Sequence, residues 1–280
     1  MKKITITKSA GFCFGVLRAL RLAQQTAKSR KNIYMLGDIV HNPRVVSDIK
    51  KIGIKKITKL KTQGNGVLLI RAHGAQKSVY DQAKKLGYKI IDATCPMVKE
   101  IHSIAKRYEE QNYTIIIIGD KKHDEVIGIK GNLKNKPIVL SNKKEIKRLQ
   151  LSHIKKAAVV VQSTQNQEKV KDIVAELKKQ IKKLIFRNTI CQPTRLKQKE
   201  IQQLPSTQDI MIIIGAKSSA NTKRLYELSK KINPNTYWVN SKSEIKKCWF
   251  KDKIKVGIGA GASTPDYIIK EIESFIKNRV

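Results

Sequence analysis

Short runs of apolar, mostly β-branched residues recur along the chain between longer stretches in which apolar side chains return every third or fourth position. Strands buried on both faces read as continuous apolar runs, and the helices that cover them carry a period near 3.6. On that basis "GVLRALRLAQQTAKS" (15–29) predicts a helix, "IYML" (33–36) a strand and "GDIVHN" (37–42) the loop after it. The same order returns in "MVKEIHSIAKRYEEQ" (97–111), "TIIIIG" (114–119) and "DKKHDE" (120–125). It returns again in "QPTRLKQKEIQQL" (192–204), "DIMIIIG" (209–215) and "AKSSAN" (216–221). Each pass has a second strand end, at "LLIRAHG", "VVVQSTQ" and "GIGAGAST". Three copies of one α/β unit are implied. The expected fold is α/β: three similar units with mostly parallel sheets, arranged with pseudo-threefold symmetry around a central site. The expected domains are residues 14–95, 96–190 and 191–280, the last completed by residues 1–13.

The repeat has a fixed register. Cys13, Cys95 and Cys191 each precede a helical stretch, and His41, His123 and Ser219 each follow their cysteine by 28 positions (13 to 41, 95 to 123, 191 to 219). The second strand ends carry His73, Ser163 with Thr164, and Ser263; counted to His73, Ser163 and Ser263 they lie 60, 68 and 72 positions past their cysteines, a looser match that loop insertions explain. Ligands of open parallel sheets bind outside the carboxyl ends of the strands. Packing around a pseudo-threefold axis would therefore bring three thiols to one centre ringed by polar loops.

Three thiols without an equivalent fourth suit an iron–sulfur cluster with one open iron better than structural zinc, which takes a closed tetrahedral set. Cys248, in "SEIKKCWF", falls outside the repeat and reads as a core or surface thiol. His41, His73 and His123, the hydroxyls of Ser219 and Ser263, the amide of Asn221 and the N-termini of the following helices form a donor-rich cage for a polyanion such as diphosphate. Glu125 is the carboxylate in these loops placed for proton transfer; enclosure would favour its protonated form, and Ser163 could relay the proton. Asp124 is expected to point away from that role, while His102 and His153 read as structural. Two rival motifs fail on spacing: "HDE" lacks the P-C-x-x-C of zinc deaminases, and "GIGAGAS" lacks the acidic residue of a dinucleotide fingerprint.

Composition narrows the classes further. The 280 residues are 40% hydrophobic, enough for a real core, and no apolar run nears the roughly 18 residues of a bilayer span. "MKKITITKSAG" has the basic start of a signal peptide without its apolar stretch, so a soluble, cytoplasmic protein with no membrane contact is expected. In that compartment the four cysteines stay reduced. The formal charge of +36 points first to nucleic acid, but the lysines are spread evenly in ones and twos with no basic tail. No nucleic-acid partner is therefore expected. The alternative from another class is a basic RNA-binding α/β protein whose cysteines hold a structural metal; 5% aromatic content and no aromatic platform argue against base stacking.

Taken together, "AGFCFGVLRAL", "VHNPRVV", "RAHG", "DATCPMV", "HDEVIG", "NTICQPTRLKQ", "KSSANTKRL" and "GAGASTPD" resemble the LytB/IspH family of 4-hydroxy-3-methylbut-2-enyl diphosphate reductases, in order and over essentially the whole chain. The resemblance implies an iron–sulfur oxidoreductase with three α/β domains around a [4Fe-4S] cluster held by Cys13, Cys95 and Cys191. It implies that His41, His73, His123, Ser219, Asn221 and Ser263 hold the diphosphate, and that Glu125, Ser163 and Thr164 serve proton delivery. The implied reaction is reductive dehydroxylation of the allylic diphosphate to isopentenyl and dimethylallyl diphosphate, the last step of the non-mevalonate (MEP) isoprenoid pathway. A ferredoxin or flavodoxin would donate electrons to a monomer or homodimer. Four positions depart from the family pattern: Ala220 replaces a serine, removing one phosphate hydrogen bond unless it is supplied otherwise; Lys122 and Asp124 replace the glycine and proline around His123, loosening the aim of Glu125; Ser163 replaces a threonine and keeps the hydroxyl.

Overall fold

A computed structural model describes residues 2–60, 66–149, 151 and 153–280. Its strands are β1 (Lys3–Ile6), β2 (Ile33–Leu36), β3 (Ile54–Ile57), β4 (Val67–Ile70), β5 (Lys89–Asp92), β6 (Thr114–Ile118), β7 (Ile138–Leu140), β8 (Lys156–Val161), β9 (Lys183–Phe186), β10 (Ile210–Ile214), β11 (Thr236–Val239) and β12 (Lys255–Ala260). The helices are α1 (Phe14–Ser29), α2 (Pro43–Lys51), α3 (Lys77–Lys85), α4 (Pro96–Glu110), α5 (Asp124–Lys130), α6 (Gln167–Gln180), α7 (Gln192–Gln203), α8 (Ala220–Ile232) and α9 (Asp266–Arg279).

The strands form three four-stranded sheets, ordered β3-β2-β4-β5, β7-β6-β8-β9 and β11-β10-β12-β1, with every paired register parallel. The three orders are one pattern. The first strand of each unit pairs with the second on one side and the third on the other, and the fourth closes the far edge. In the third sheet that fourth place is taken by β1, from the start of the chain. Each sheet therefore has a topological switch point between its two inner strands, where parallel α/β sheets place ligands.

The apolar runs mark the inner strands β2, β4, β6, β8, β10 and β12. The edge strands β1, β3, β5, β7, β9 and β11 were not read from the sequence, because half-exposed edges such as "KITI" and "IKKI" carry polar residues. Inner strands are covered on both faces. Along β6, Ile116 and Ile118 face one core with Val159, Val161 and the Val170, Ile173 and Leu177 side of α6, while Ile115 and Ile117 face another with Ala158, Val160, the Ile101 and Ala105 side of α4, and Val126 and Ile129 of α5. Beside β10, alternation sends Ile210, Ile212 and Ile214 to α9 and Met211 and Ile213 to α7 and α8.

By contact density the chain forms two compact units, one of Met1–Leu17, Val40–Val46 and Gln192–Val280, the other of Arg18–Ile39 and Ser47–Cys191. The first holds the sheet containing β10; the second holds both other sheets. Among the described residues no helix is long and apolar enough to cross a membrane.

His102, on α4, is packed against Gly74 and Gly128; a Cβ on either glycine would lie 3.4 Å from its ring, and Gly74 also needs its positive φ of 76°. Burial depresses its pKa from 6.5 to about 4, against a smaller opposing pull from Asp92. Between those values the unfolded chain takes up a proton that the native state refuses, so stability is lost as pH falls from 6.5 toward 4, by up to about 3 kcal/mol. His102→Gln should flatten that acid limb in urea melts at stepped pH. Separately, Ile117→Ala, at a fully buried position, should destabilise by about 2–5 kcal/mol in denaturant titration at neutral pH.

Candidate functional site

All three repeated cysteines are reduced and half-buried, and each stands one residue before a helix: Cys13 before α1, Cys95 before α4, Cys191 before α7. A helix N-terminus concentrates unpaired N–H groups and the positive end of the helix dipole. One backbone bond is common to the three. The N–H of Cys13 donates to the carbonyl of Ala262 at 3.1 Å, that of Cys95 to Ala72 at 2.9 Å and that of Cys191 to Ser163 at 3.0 Å. Each acceptor stands at the same place, the second residue past the third strand of its unit (β12, β4 or β8). Ser263, His73 and Thr164 follow immediately, so these three residues are equivalent. On the other inner strands, His41, His123 and Ser219 each stand five residues past the strand end, counted from Leu36, Ile118 and Ile214.

The loops leading to the second and third cysteines share a local device. Three residues before Cys95, Asp92 Oδ1 accepts the Thr94 N–H at 2.9 Å and also the Thr94 hydroxyl, while Lys99 approaches Oδ2 at 2.6 Å. Burial pushes the Asp92 carboxyl up, but these donors outweigh it and hold it below the ordinary aspartate value. Three residues before Cys191, Asn188 Oδ1 accepts the Ile190 N–H at 3.3 Å, and the Thr189 hydroxyl is tied to β8. Both are side chains imitating a backbone turn.

In the larger unit, Glu125 is 1% exposed on the first turn of α5. Its Oε1 accepts the Ser163 N–H at 2.6 Å and its Oε2 the Ser163 hydroxyl at 2.8 Å. His123 caps the same helix, its Nδ1 accepting the Glu125 N–H at 3.2 Å, so the ring proton is carried by Nε2. The His73 ring stands edge-on to that of His123, with centroids 5.5 Å apart. Asp124 does turn away from Glu125: its Oδ2 meets Arg71 Nη1 at 2.6 Å, joining the loop of His73 to the loop of His123. The loosening expected from Asp124 is thereby offset, and Glu125 is held at both oxygens. Gln162, fully buried, adds a second tie between the loops of His123 and Ser163 by accepting the Asp120 N–H at 2.9 Å, and it donates to Thr164 Oγ1 within its own loop at 3.0 Å.

In the other unit, the buried Asn42 joins the loop of His41 to that of Ser263: its Nδ2 donates to the Ser263 carbonyl at 2.7 Å, and the Ser263 hydroxyl donates to the His41 carbonyl at 3.3 Å. Ser219 caps α8, its Oγ accepting the Thr222 N–H at 3.3 Å, and Ala220 opens the helix. Asn221 is 5% exposed, and neither its Oδ1 nor its Nδ2 has a hydrogen-bond partner among the described residues. A buried amide left so costs about 1–3 kcal/mol unless a ligand meets it. Cys248 is exposed on a 3₁₀ turn and His153 is exposed, both away from the strand-end loops. Asn42, Gln162 and Arg71 are structural partners the sequence reading did not single out. "VHN" and "VVVQS" showed their positions, but a bridge between loops far apart in sequence leaves no local signature.

A threefold-repeated parallel α/β protein, with one reduced cysteine per repeat and polar side chains at every switch point, is the class these loops define. The chain belongs to the LytB family, whose model matches residues 4–277. It is 40% identical over 281 residues to 4-hydroxy-3-methylbut-2-enyl diphosphate reductase of Aquifex aeolicus, covering 99% of this chain and 96% of that one. Against the reductase of the same name from Clostridioides difficile the identity is 37%, covering 98% and 99%. A solved structure of (E)-4-hydroxy-3-methyl-but-2-enyl diphosphate reductase, the terminal enzyme of the non-mevalonate pathway, is 40% identical with a TM-score of 0.73 and covers 99% of both chains. The structure of the E-1-hydroxy-2-methyl-but-2-enyl-4-diphosphate reductase from Plasmodium falciparum is 29% identical with a TM-score of 0.91, covering 99% of this chain and 87% of that one.

Because the Asn221 amide makes no bond among the described residues, Asn221→Ala should leave the urea midpoint unchanged or raised. The expectation that this amide meets a diphosphate requires the same variant to weaken binding of inorganic diphosphate about tenfold in calorimetry, the loss of one or two ligand hydrogen bonds.

Proposed function

We propose that this chain is an iron–sulfur oxidoreductase that converts (E)-4-hydroxy-3-methylbut-2-enyl diphosphate to isopentenyl and dimethylallyl diphosphate. The observation that carries the reading is the backbone bond made alike by Cys13, Cys95 and Cys191, which puts three thiols at one equivalent place in three repeats. Three such thiols without an equivalent fourth fit a [4Fe-4S] cluster with one open iron. Its domains are 14–95, 96–190 and 191–280 with 1–13.

The reaction takes in two electrons and two protons and releases one water, the C–O bond of the allylic alcohol being the bond that breaks. Cys13, Cys95 and Cys191 would hold the cluster, which when bound would supply electrons and a Lewis-acidic iron. The residues of the chain do the rest. His41, His73, His123, Ser219, Asn221 and Ser263 bind the diphosphate as donors. The Nε2 proton of His123 follows from its Nδ1 bond to the Glu125 N–H, so His123 donates while neutral. Glu125 delivers the proton that lets the hydroxyl leave as water, carrying it at Oε2, and the Ser163 hydroxyl, 2.8 Å away, relays it. Thr164, hydrogen-bonded to Gln162, lines the same loop. The basic surface, with a formal charge of +36, suits an acidic ferredoxin or flavodoxin as electron donor. The working form is a cytoplasmic monomer or homodimer.

Anaerobic purification should yield a brown protein, with the broad visible absorbance of an iron–sulfur cluster, that turns over the diphosphate. A colourless zinc protein would overturn the reading. Glu125→Gln should keep the absorbance and lower kcat by about 10²–10⁴-fold, the usual weight of one proton-transfer group. A kcat equal to wild type would remove Glu125 from its role.

A further inference from the structure

The three cysteine loops differ in one respect. Asp92 and Asn188, each three residues before its cysteine, brace their loops from within by accepting an N–H two residues on. The corresponding residue before Cys13 is Ala10, whose side chain can accept nothing. The bend there is nonetheless demanding: Gly11 has a φ of 90°, and a Cβ on it would meet Asp266 Oδ1 at 2.5 Å.

The bracing comes instead from across the unit, on α7. Lys197 is 3% exposed, and its Nζ donates to the carbonyls of Ser9 and of Gly11, the latter at 2.9 Å. One turn further along α7, Glu200 Oε2 accepts both the N–H of Ser9 at 3.0 Å and its hydroxyl at 2.8 Å. Lysine is almost never fully buried without partners, because the ammonium forfeits its hydration. Here the two carbonyls replace that hydration, and they belong to the segment that ends at Cys13. An α7 carboxylate and an α7 ammonium thus hold the donor and acceptor sides of one short loop, as the side chains of Asp92 and Asn188 hold theirs.

We infer that Lys197, assisted by Glu200, is the positioning residue for Cys13, doing from α7 what Asp92 and Asn188 do locally for Cys95 and Cys191. The consequence rests on the reading of Cys13 as a cluster ligand, but the positioning itself does not. Since α7 begins one residue after Cys191, the helix that fixes the first cysteine is also the one that the third cysteine opens.

The test compares the alkylation rates of Cys13, Cys95 and Cys191 by iodoacetamide in iron-free, folded protein, peptide by peptide in a mass spectrometer. Lys197→Met should speed alkylation of Cys13 by at least about threefold, a local opening that leaves Cys95 and Cys191 unchanged. Lys197→Arg, which keeps a cation able to reach two carbonyls, should restore the wild-type rate. Equal acceleration at all three cysteines, or none at Cys13, would overturn the inference. Should Lys197→Met fail to fold, Lys197→Gln decides, since its neutral amide keeps a donor but cannot hold both carbonyls as the ammonium does: selective acceleration of Cys13 supports the clamp, and an unchanged rate sinks it. Iron and sulfide per chain, measured in parallel after reconstitution, separate the two claims. Wild-type protein that takes up no iron would refute the cluster without touching the alkylation result.

Discussion

The backbone hydrogen bond that each repeated cysteine donates to its neighbouring strand-end loop is the constraint on which this structure depends. A parallel sheet delivers the carboxyl ends of its strands to one edge, but it does not by itself fix the loops beyond them. The bonds from Cys13 to Ala262, Cys95 to Ala72 and Cys191 to Ser163 lock the thiol-bearing loop of each unit to the loop carrying Ser263, His73 or Thr164. The thiol and the polar side chain are thereby coupled within every repeat. A shift of one loop carries the other with it.

What surrounds that bond varies between repeats, and the variation is where function enters. In the repeat of Ser163 the acceptor residue also donates its own N–H and hydroxyl to Glu125, so a buried carboxylate hangs from the same residue that anchors Cys191. In the repeat of Ala262 the next residue, Ser263, is tied to the loop of His41, and Asn42 completes that tie. One architectural bond thus supports a buried carboxylate in one place and a hydroxyl–amide bridge in another.

The six inner strands and the helices that open after the cysteines were legible in the sequence, because burial on both faces forces an uninterrupted apolar run. Six edge strands were not, since a strand such as β3, "IKKI", is half solvent-facing and carries no such run. The equivalence of the cysteines was legible from a spacing of 28. The exact equivalence of Ser263, His73 and Thr164 was not, because the insertions between them distort distance along the chain while leaving the strand ends intact. Partners such as Arg71 for Asp124 and Asn42 for Ser263 escape sequence reading for a different reason: each bond joins residues distant in the chain, and a single arginine or asparagine looks the same whether it bridges two loops or faces water.

The place of β1 has a consequence for how the molecule is made. Lys3 of β1 pairs with Lys255 of β12, so this strand of the nascent polypeptide waits for its neighbour until everything between the two has been translated. Cys13 waits with it. The sheets of the other unit can close while synthesis continues, and assembly of any centre that uses all three sulfurs is postponed until β12 has emerged.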